Sequence, residues 1–291
     1  MTGNLHTATV ARRPNRLGLP PLDLDPQTIC FTVDVDWASD EVVVNLRELF
    51  DQHGVRATFF VTHANLEVSG HERGLHPNFR RNGDTFKRLL ESRGDEDGIT
   101  DEEIQTHVIS TTLAFAPEAK GLRTHSLHYD STLLPLYRRA GLEYDCSYQM
   151  PLVSGLRPFW KQHDIVEIPT YYMDHVDLMT GATGFRLSAL GLDQPGLKVF
   201  DFHPNMVFIN ARSEDEYVAT KCFHRNPERL LAKRQPGRGV RTLLLDLLEA
   251  VSARDLPTAT LGEVNARWRA LSKGMGCEPI RERYQSGAPC W

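Results

Sequence analysis

Two carboxylates close an apolar run at residues 28–37 (TICFTVDVDW): Asp34 and Asp36, spaced i and i+2. Side chains alternate along a strand, so this spacing sets both acids on one side at the strand's C-terminal end, where α/β folds gather their chemistry. Acids held that close suit a metal ion or a shared proton. The same residues also read as a polar strand end, its acids solvated or capping a helix that starts near Ser39. Histidine extends the pattern. The chain holds 12, and several fall at expected strand ends or just after them: His71 and His76 in GHERGLHPNF, His125 and His128 in RTHSLHYD, and His203 in FDFHPNMVFIN. Two imidazoles and a carboxylate make a zinc-like site with positions left open for water and substrate. A lone loop histidine is usually only a solvated polar residue; the shared location with Asp34 and Asp36 makes these candidates.

The elements that must position these residues alternate between β and α. Ser39 caps a helix whose apolar positions Val42, Val43, Leu46, Leu49 and Phe50 keep helical spacing, with Gly54 ending it. A second strand is expected at 56–62, then a Gly- and His-rich loop at 70–79, a helical face at Phe86, Leu89 and Leu90, a charged break at 94–98 and a helix at 101–115. Residues 123–127 read as a strand meeting its loop, 131–140 as helix, and 142–147, 165–169 and 197–203 as further strands. Val240, Leu243, Leu244, Leu247, Leu248 and Val251 form a helical stripe that reads as core packing. Strands separated by helices predict a parallel, barrel-like α/β fold.

Composition bounds the rest. At 291 residues and 41% hydrophobic, the chain is expected to form one main domain at 28–272, with Pro-, Gly- and Arg-rich extensions at 1–27 and 273–291. A net charge of -5, with the basic residues dispersed apart from Arg12, Arg13 and Arg16, predicts no nucleic-acid partner. No run approaches the roughly 20 apolar residues of a membrane span, and the N-terminus lacks the apolar block of a secretory signal, so a cytoplasmic location is expected. Five scattered cysteines without a C-x-x-C pair read as reduced thiols. No Rossmann fingerprint, phosphate-binding glycine loop or serine nucleophile elbow is present.

FTVDVDW, GHERGLHPNF, RTHSLHYD and FDFHP, in this order, resemble the motifs of the polysaccharide deacetylases of carbohydrate esterase family 4, the NodB-homology fold. More narrowly they resemble the WbmS-type subgroup linked to bacterial surface-polysaccharide biosynthesis. The resemblance covers about residues 28–265. It implies a distorted (β/α) barrel with fewer than eight strands and metal-dependent hydrolysis of an acyl group on a sugar. It also implies roles: Asp34 as catalytic base, Asp36 and His76 as metal ligands, Arg123 as the arginine that orients the base, and His203 as general acid. The family's acids are usually adjacent, whereas Val35 intervenes here.

The largest departure is at the family's second histidine ligand, four residues after the first, which here is Arg80. Arginine cannot coordinate a cation. His125, two residues from Arg123 and on the same side of an extended segment, is the expected substitute; His128 and Asn78 are the alternatives. Zinc is the expected ion for such nitrogen and oxygen ligands, with other divalent metals left open. Asn78, His128 and Tyr172 are candidate substrate contacts. Trp37, Phe79, Trp160 and Tyr171 lie near loops but read mostly as packing, and Asp174 and His175 as rim residues. The expected substrate is an amino sugar on a nucleotide-linked or lipid-linked precursor, losing acetyl or formyl. Two other classes stay open: a non-sugar C–N hydrolase of the same fold, which need not use metal, and a silent sugar-binding module.

Overall fold

The computed structural model describes residues 27–81, 83–93 and 98–274. Most of both expected extensions lie outside them, as do Arg12, Arg13, Arg16, Cys277, Cys290 and the charged break at 94–97. The described strands are β1 (Ile29–Asp34), β2 (Ala57–Val61), β3 (Glu72–Leu75), β4 (Gly121–Leu122), β5 (Tyr144–Asp145), β6 (Phe159–Trp160), β7 (Val166–Glu167), β8 (Tyr172–Met173) and β9 (Lys198–Phe202). They form one sheet in the order β6-β7-β5-β4-β3-β2-β1-β9-β8. Every pairing is parallel except the antiparallel β6 on β7. The sheet curls into a half barrel. The α/β barrel class is therefore as the sequence implied, with nine strands rather than fewer than eight, five of them only two residues long.

β1, β2 and β9 are buried at every residue because helices cover one face and the curl of the sheet encloses the other. The outer layer follows the sequence reading. Helix Asp40–Gln52 buries Val42, Val43, Leu46, Leu49 and Phe50, and helix Val240–Ala253 buries its whole predicted stripe. Helix Asp101–Leu113 opens on a capping box: the Thr100 hydroxyl accepts from the Glu103 N–H, and the Thr100 N–H donates to Glu103 Oε2 at 2.8 Å. Ser39 occupies the expected N-cap position, but its hydroxyl makes no cap bond; Asp40 and Glu41 in the first turn complement the helix dipole instead. Among the described residues, no helix is long and apolar enough to cross a membrane.

One expectation fails usefully. The segment read as a Gly- and His-rich loop contains β3, a central strand between β2 and β4. Its polar sequence hid it, because the sheet meets its polar groups from outside the segment. Glu72 accepts from the Thr58 hydroxyl, the Tyr144 hydroxyl and the Gly262 N–H at 2.7–2.8 Å. His71 is likewise structural rather than part of the site: Nδ1 accepts from the Ala57 N–H and Nε2 meets Asp51.

The inner face of the half barrel is layered. At the bottom, Cys30, Phe60, Tyr144, Val199, Leu261 and Val264 form an apolar plug. Tyr144 fits there because β4 carries glycine: a Cβ on Gly121 would lie 2.0 Å from the Tyr144 ring. We expect Gly121→Ala to destabilise the protein by about 1–3 kcal/mol, the usual cost of overpacking a filled core. Urea unfolding is the measurement, and an unchanged midpoint would show that the ring has room to move.

Candidate active site

Above the apolar plug sits a polar layer centred on Arg123, which is fully buried just beyond β4. Its Nη1 donates to Asp34 Oδ1 and Thr32 Oγ1 at 2.9 Å each and also to Asp201 Oδ1; Nε donates to the Cys146 carbonyl, and Nη2 to Thr170 Oγ1 at 3.0 Å. The guanidinium stacks 4.7 Å from the Phe60 ring, which joins the polar layer to the plug below. One cation thus serves two buried carboxylates. Burial pushes the Asp201 carboxyl up to about 7, against the pull of Arg123 and with the help of Asp34's charge. Burial acts on Asp34 in the same direction, but Arg123, His76 and His203 outweigh it and hold Asp34 below the ordinary carboxylate range.

The top layer holds the predicted candidates. Asp34 ends β1, whereas Asp36 lies past the strand in the left-handed region, at φ 47°. The two acids therefore share the site through this turn, not through strand alternation as the spacing suggested; aspartate tolerates that backbone. Similarly, the segment after Arg123 is not extended. His125 opens a 3-10 turn, and its N–H donates to the Pro77 carbonyl at 2.9 Å, which carries its ring back over the site.

There Asp36, His76 and His125 converge. Asp36 Oδ1 lies 3.2 Å from His76 Nε2 and 3.0 Å from His125 Nδ1, and the two nitrogens are 3.4 Å apart. A tetrahedral ion with bonds of roughly 2.0 Å has ligand edges of about 3.3 Å, so this triangle fits one face of such a site. The donor set fits as well. Two ring nitrogens and a carboxylate oxygen converge on one point, and hydrogen bonds from His125 and His76 hold Asp36 well below the ordinary range despite burial that acts to raise it. A second cluster, Asp34, Asp201 and His203, also has the residue types. It fits a cation less well, because the Arg123 guanidinium already contacts both carboxylates.

His203 follows β9 and leads the short helix Pro204–Ile209. Its Nδ1 meets Asp174 Oδ1 at 2.6 Å, its backbone N–H donates to Asp174 Oδ2 at 2.7 Å, and Nε2 faces Asp36 Oδ2 at 3.7 Å. Burial acts to lower the imidazole, but the Asp174 carboxylate dominates and raises it well above the ordinary histidine range.

Two cavities of about 630 and 620 Å³ open on this layer, and Asp36, Trp37, His76 and His125 line both. Trp37 is half exposed, with its ring edge-on to His125 at 4.9 Å. Asn78 lines the first cavity, where its Oδ1 accepts from the Arg80 N–H. The other two substrate candidates sit elsewhere. His128 packs against Phe79, 5.9 Å between ring centroids, and lines neither cavity. Tyr172 is buried against Phe200 and Phe202 with its hydroxyl on Asp177, because β8 turns that side chain into the core; its neighbour Met173 faces the second cavity. Sequence reasoning missed Asp201 and gave Asp174 no role. The i, i+2 rule applied to Asp34 would have found Asp201, two residues before His203 in FDFHP; Asp174 carries no comparable local signal.

Residues 31–221 match the family model of the WbmS-like polysaccharide deacetylases. Among solved structures, the chain is similar to a Bordetella bronchiseptica protein described as a polysaccharide deacetylase involved in O-antigen biosynthesis. The identity is 29% and the TM-score 0.65, over 77% of this chain and 90% of that one. A Mycobacterium smegmatis protein described as a polysaccharide deacetylase shares the fold at 18% identity and a TM-score of 0.54, over 87% of this chain and 94% of that one. No curated protein matches the chain significantly.

The Arg123 layer makes a stability prediction. Arg123→Met leaves Asp34 and Asp201 buried without their cation and should cost about 3–5 kcal/mol. Adding Asp201→Asn removes one of those stranded charges and should recover part of the loss. Chemical unfolding of the two single variants and the double variant reads the coupling; strictly additive effects would show that Arg123 and Asp201 do not act as a pair.

Proposed function

The chain belongs to the WbmS-like family of polysaccharide deacetylases, and from that premise we propose that it is a metal-dependent hydrolase that removes an N-acyl group, acetyl or formyl, from an amino sugar. The observation that carries this reading is the convergence of Asp36, His76 and His125 beside Asp34 and His203. Asp36, His76 and His125 would hold a divalent ion, zinc by donor preference, and such an ion when bound supplies a water of lowered pKa and a Lewis acid for the acyl carbonyl.

The chain's own groups do the rest. Asp34, kept ionised by Arg123, takes the proton of the attacking water. Arg123 fixes that carboxylate through the bond to Oδ1, so the base does not rotate away. As the C–N bond breaks, His203 donates its Nε2 proton to the leaving amine, and Asp174 stabilises the imidazolium from the Nδ1 side. Asn78 in the first cavity is the sugar contact retained from the sequence reading; His128 and Tyr172 are not. The O-antigen description of the Bordetella bronchiseptica relative supports placing the reaction on a nucleotide-linked or lipid-linked precursor, which this reading assigns to the cytoplasm.

His125→Ala should lose metal about as completely as His76→Ala, while His128→Ala and Asn78→Ala keep it, as read by metal content after dialysis. Asp34→Asn should keep the metal and lose nearly all hydrolysis, and His203→Ala should keep it and lose roughly 10² to 10⁴ in rate. Retained metal in His125→Ala, or wild-type acyl release in His203→Ala, overturns the corresponding role.

The proton donor also predicts a pH effect. Asp174 raises the His203 pKa, so the imidazolium persists to higher pH and activity falls on the alkaline side as that proton is lost. Asp174→Asn should move this limb of the kcat/KM profile to lower pH. A limb that stays in place would assign it to another group.

A further inference from the structure

The two cavities meet at a pair of arginines. Arg80 and Arg225 line both, alongside Asp36, His76 and His125, and Lys221 joins them in the second. All three cations are exposed, and none has an ion-pair partner among the described residues. Buried Arg123 and half-buried Arg269, in contrast, are fully engaged by carboxylates and carbonyls. The acids of the second cavity cannot neutralise the three cations. Asp34 is bound by Arg123 and Asp36 by two imidazoles. In the first cavity, Asp40 pairs with His63, and a further arginine, Arg88, lines the wall along with Asp84. A chain with a net charge of -5 thus concentrates uncompensated positive charge at the mouth of its reaction site.

We propose that this mouth seats a phosphoryl group of the substrate, so that the amino sugar reaches Asp34 and His203 as a sugar phosphate or sugar diphosphate rather than as a neutral glycan. This rests on the deacylation reading and names the substrate class for it. Two guanidinium forks match phosphate oxygens in geometry, and Lys221, 5.6 Å from the Tyr217 ring centroid, adds a third positive charge. Fixed cations at a cavity mouth also draw anions toward the site from solution. A neutral polymer would leave these groups without a partner. A phosphorylated sugar bound here would carry its N-acyl group inward, past Trp37, toward His125 and His76.

The test is equilibrium binding by calorimetry to the zinc-loaded full chain. Four probes are compared: the methyl glycoside of N-acetylglucosamine, its anomeric phosphate, its uridine diphosphate ester and the corresponding uronate. The two phosphorylated probes should bind at least about tenfold tighter than the methyl glycoside, with an advantage that shrinks as salt rises. Arg80→Gln and Arg225→Gln should each remove most of that advantage, and Lys221→Gln a smaller part. Their exposure makes misfolding a small risk, and unfolding midpoints equal to wild type serve as the control. A uridine diphosphate ester that binds tighter than the simple phosphate identifies a nucleotide carrier; equal binding identifies the phosphoryl group alone. Equal affinity for neutral and phosphorylated probes in the wild type, an advantage that survives in the double arginine variant, or preference for the uronate over the phosphate overturns the proposal. Binding needs no turnover, so a chain that keeps the phosphate preference yet releases no acyl group from any probe would sink the deacylation reading and leave this site standing.

Discussion

The structure depends on one buried cation. Arg123 lies between Asp34 and Asp201, fully enclosed, with Thr32, Thr170 and the Cys146 carbonyl taking its remaining N–H groups. Taking such charges out of water costs several kcal/mol per ion, and mutual attraction repays this only when nearly every donor finds an acceptor. That condition ties β1, β4, β5 and β9 together at one height, because each supplies or adjoins a partner. Phe60 beneath the guanidinium connects the same point to the apolar plug. Compared with an apolar filling of the same space, the buried ion group therefore adds little net stability; what it does is fix strand register and place one carboxylate.

The layer above inherits its electrostatics from this arrangement. With a single cation for two acids, the protein divides their behaviour: Asp34 stays ionised, while Asp201, pushed by burial and by the charges of Asp34 and Asp174, rises to about 7. Asp174 then plays toward His203 the part that Arg123 plays toward Asp34, holding a proton on the imidazole as the arginine keeps one off the carboxylate. The proposed base, ionised, and the proposed acid, protonated, have a carboxylate oxygen and a ring nitrogen within 4.8 Å of each other. Such a separation of protonation states is what acid and base catalysis in one cavity requires.

In the proposed metal site, His125 takes the place that the family resemblance gives to a histidine four residues after His76. The position four residues after His76 is an arginine, which points into the cavities instead of toward an ion. The third donor comes from another part of the chain, where a 3-10 turn anchored on Pro77 swings His125 to within 3.4 Å of His76. Arg80 itself is exposed and adds positive charge at the cavity mouth.

Much of this was legible in the sequence. The helical stripes, the first and last long strands, and the order of the acid and histidine motifs all follow from local periodicity and residue chemistry, which a single chain displays directly. What stayed hidden was whatever depends on partners distant in the chain. β3 read as a loop because Glu72 and its neighbours are polar, and only Thr58, Tyr144 and Gly262 make that polarity acceptable inside a sheet. Tyr172 read as a candidate substrate contact until β8 turned it into the core. Asp174 read only as a rim residue, since its contact with His203 exists only once β8 and β9 lie side by side. The sequence by itself determined which residue types would meet at the C-terminal ends of the strands. Tertiary structure decided which of them touch, because burial sets the charge each carboxylate and imidazole can keep, and burial is a property of the packed sheet rather than of any segment.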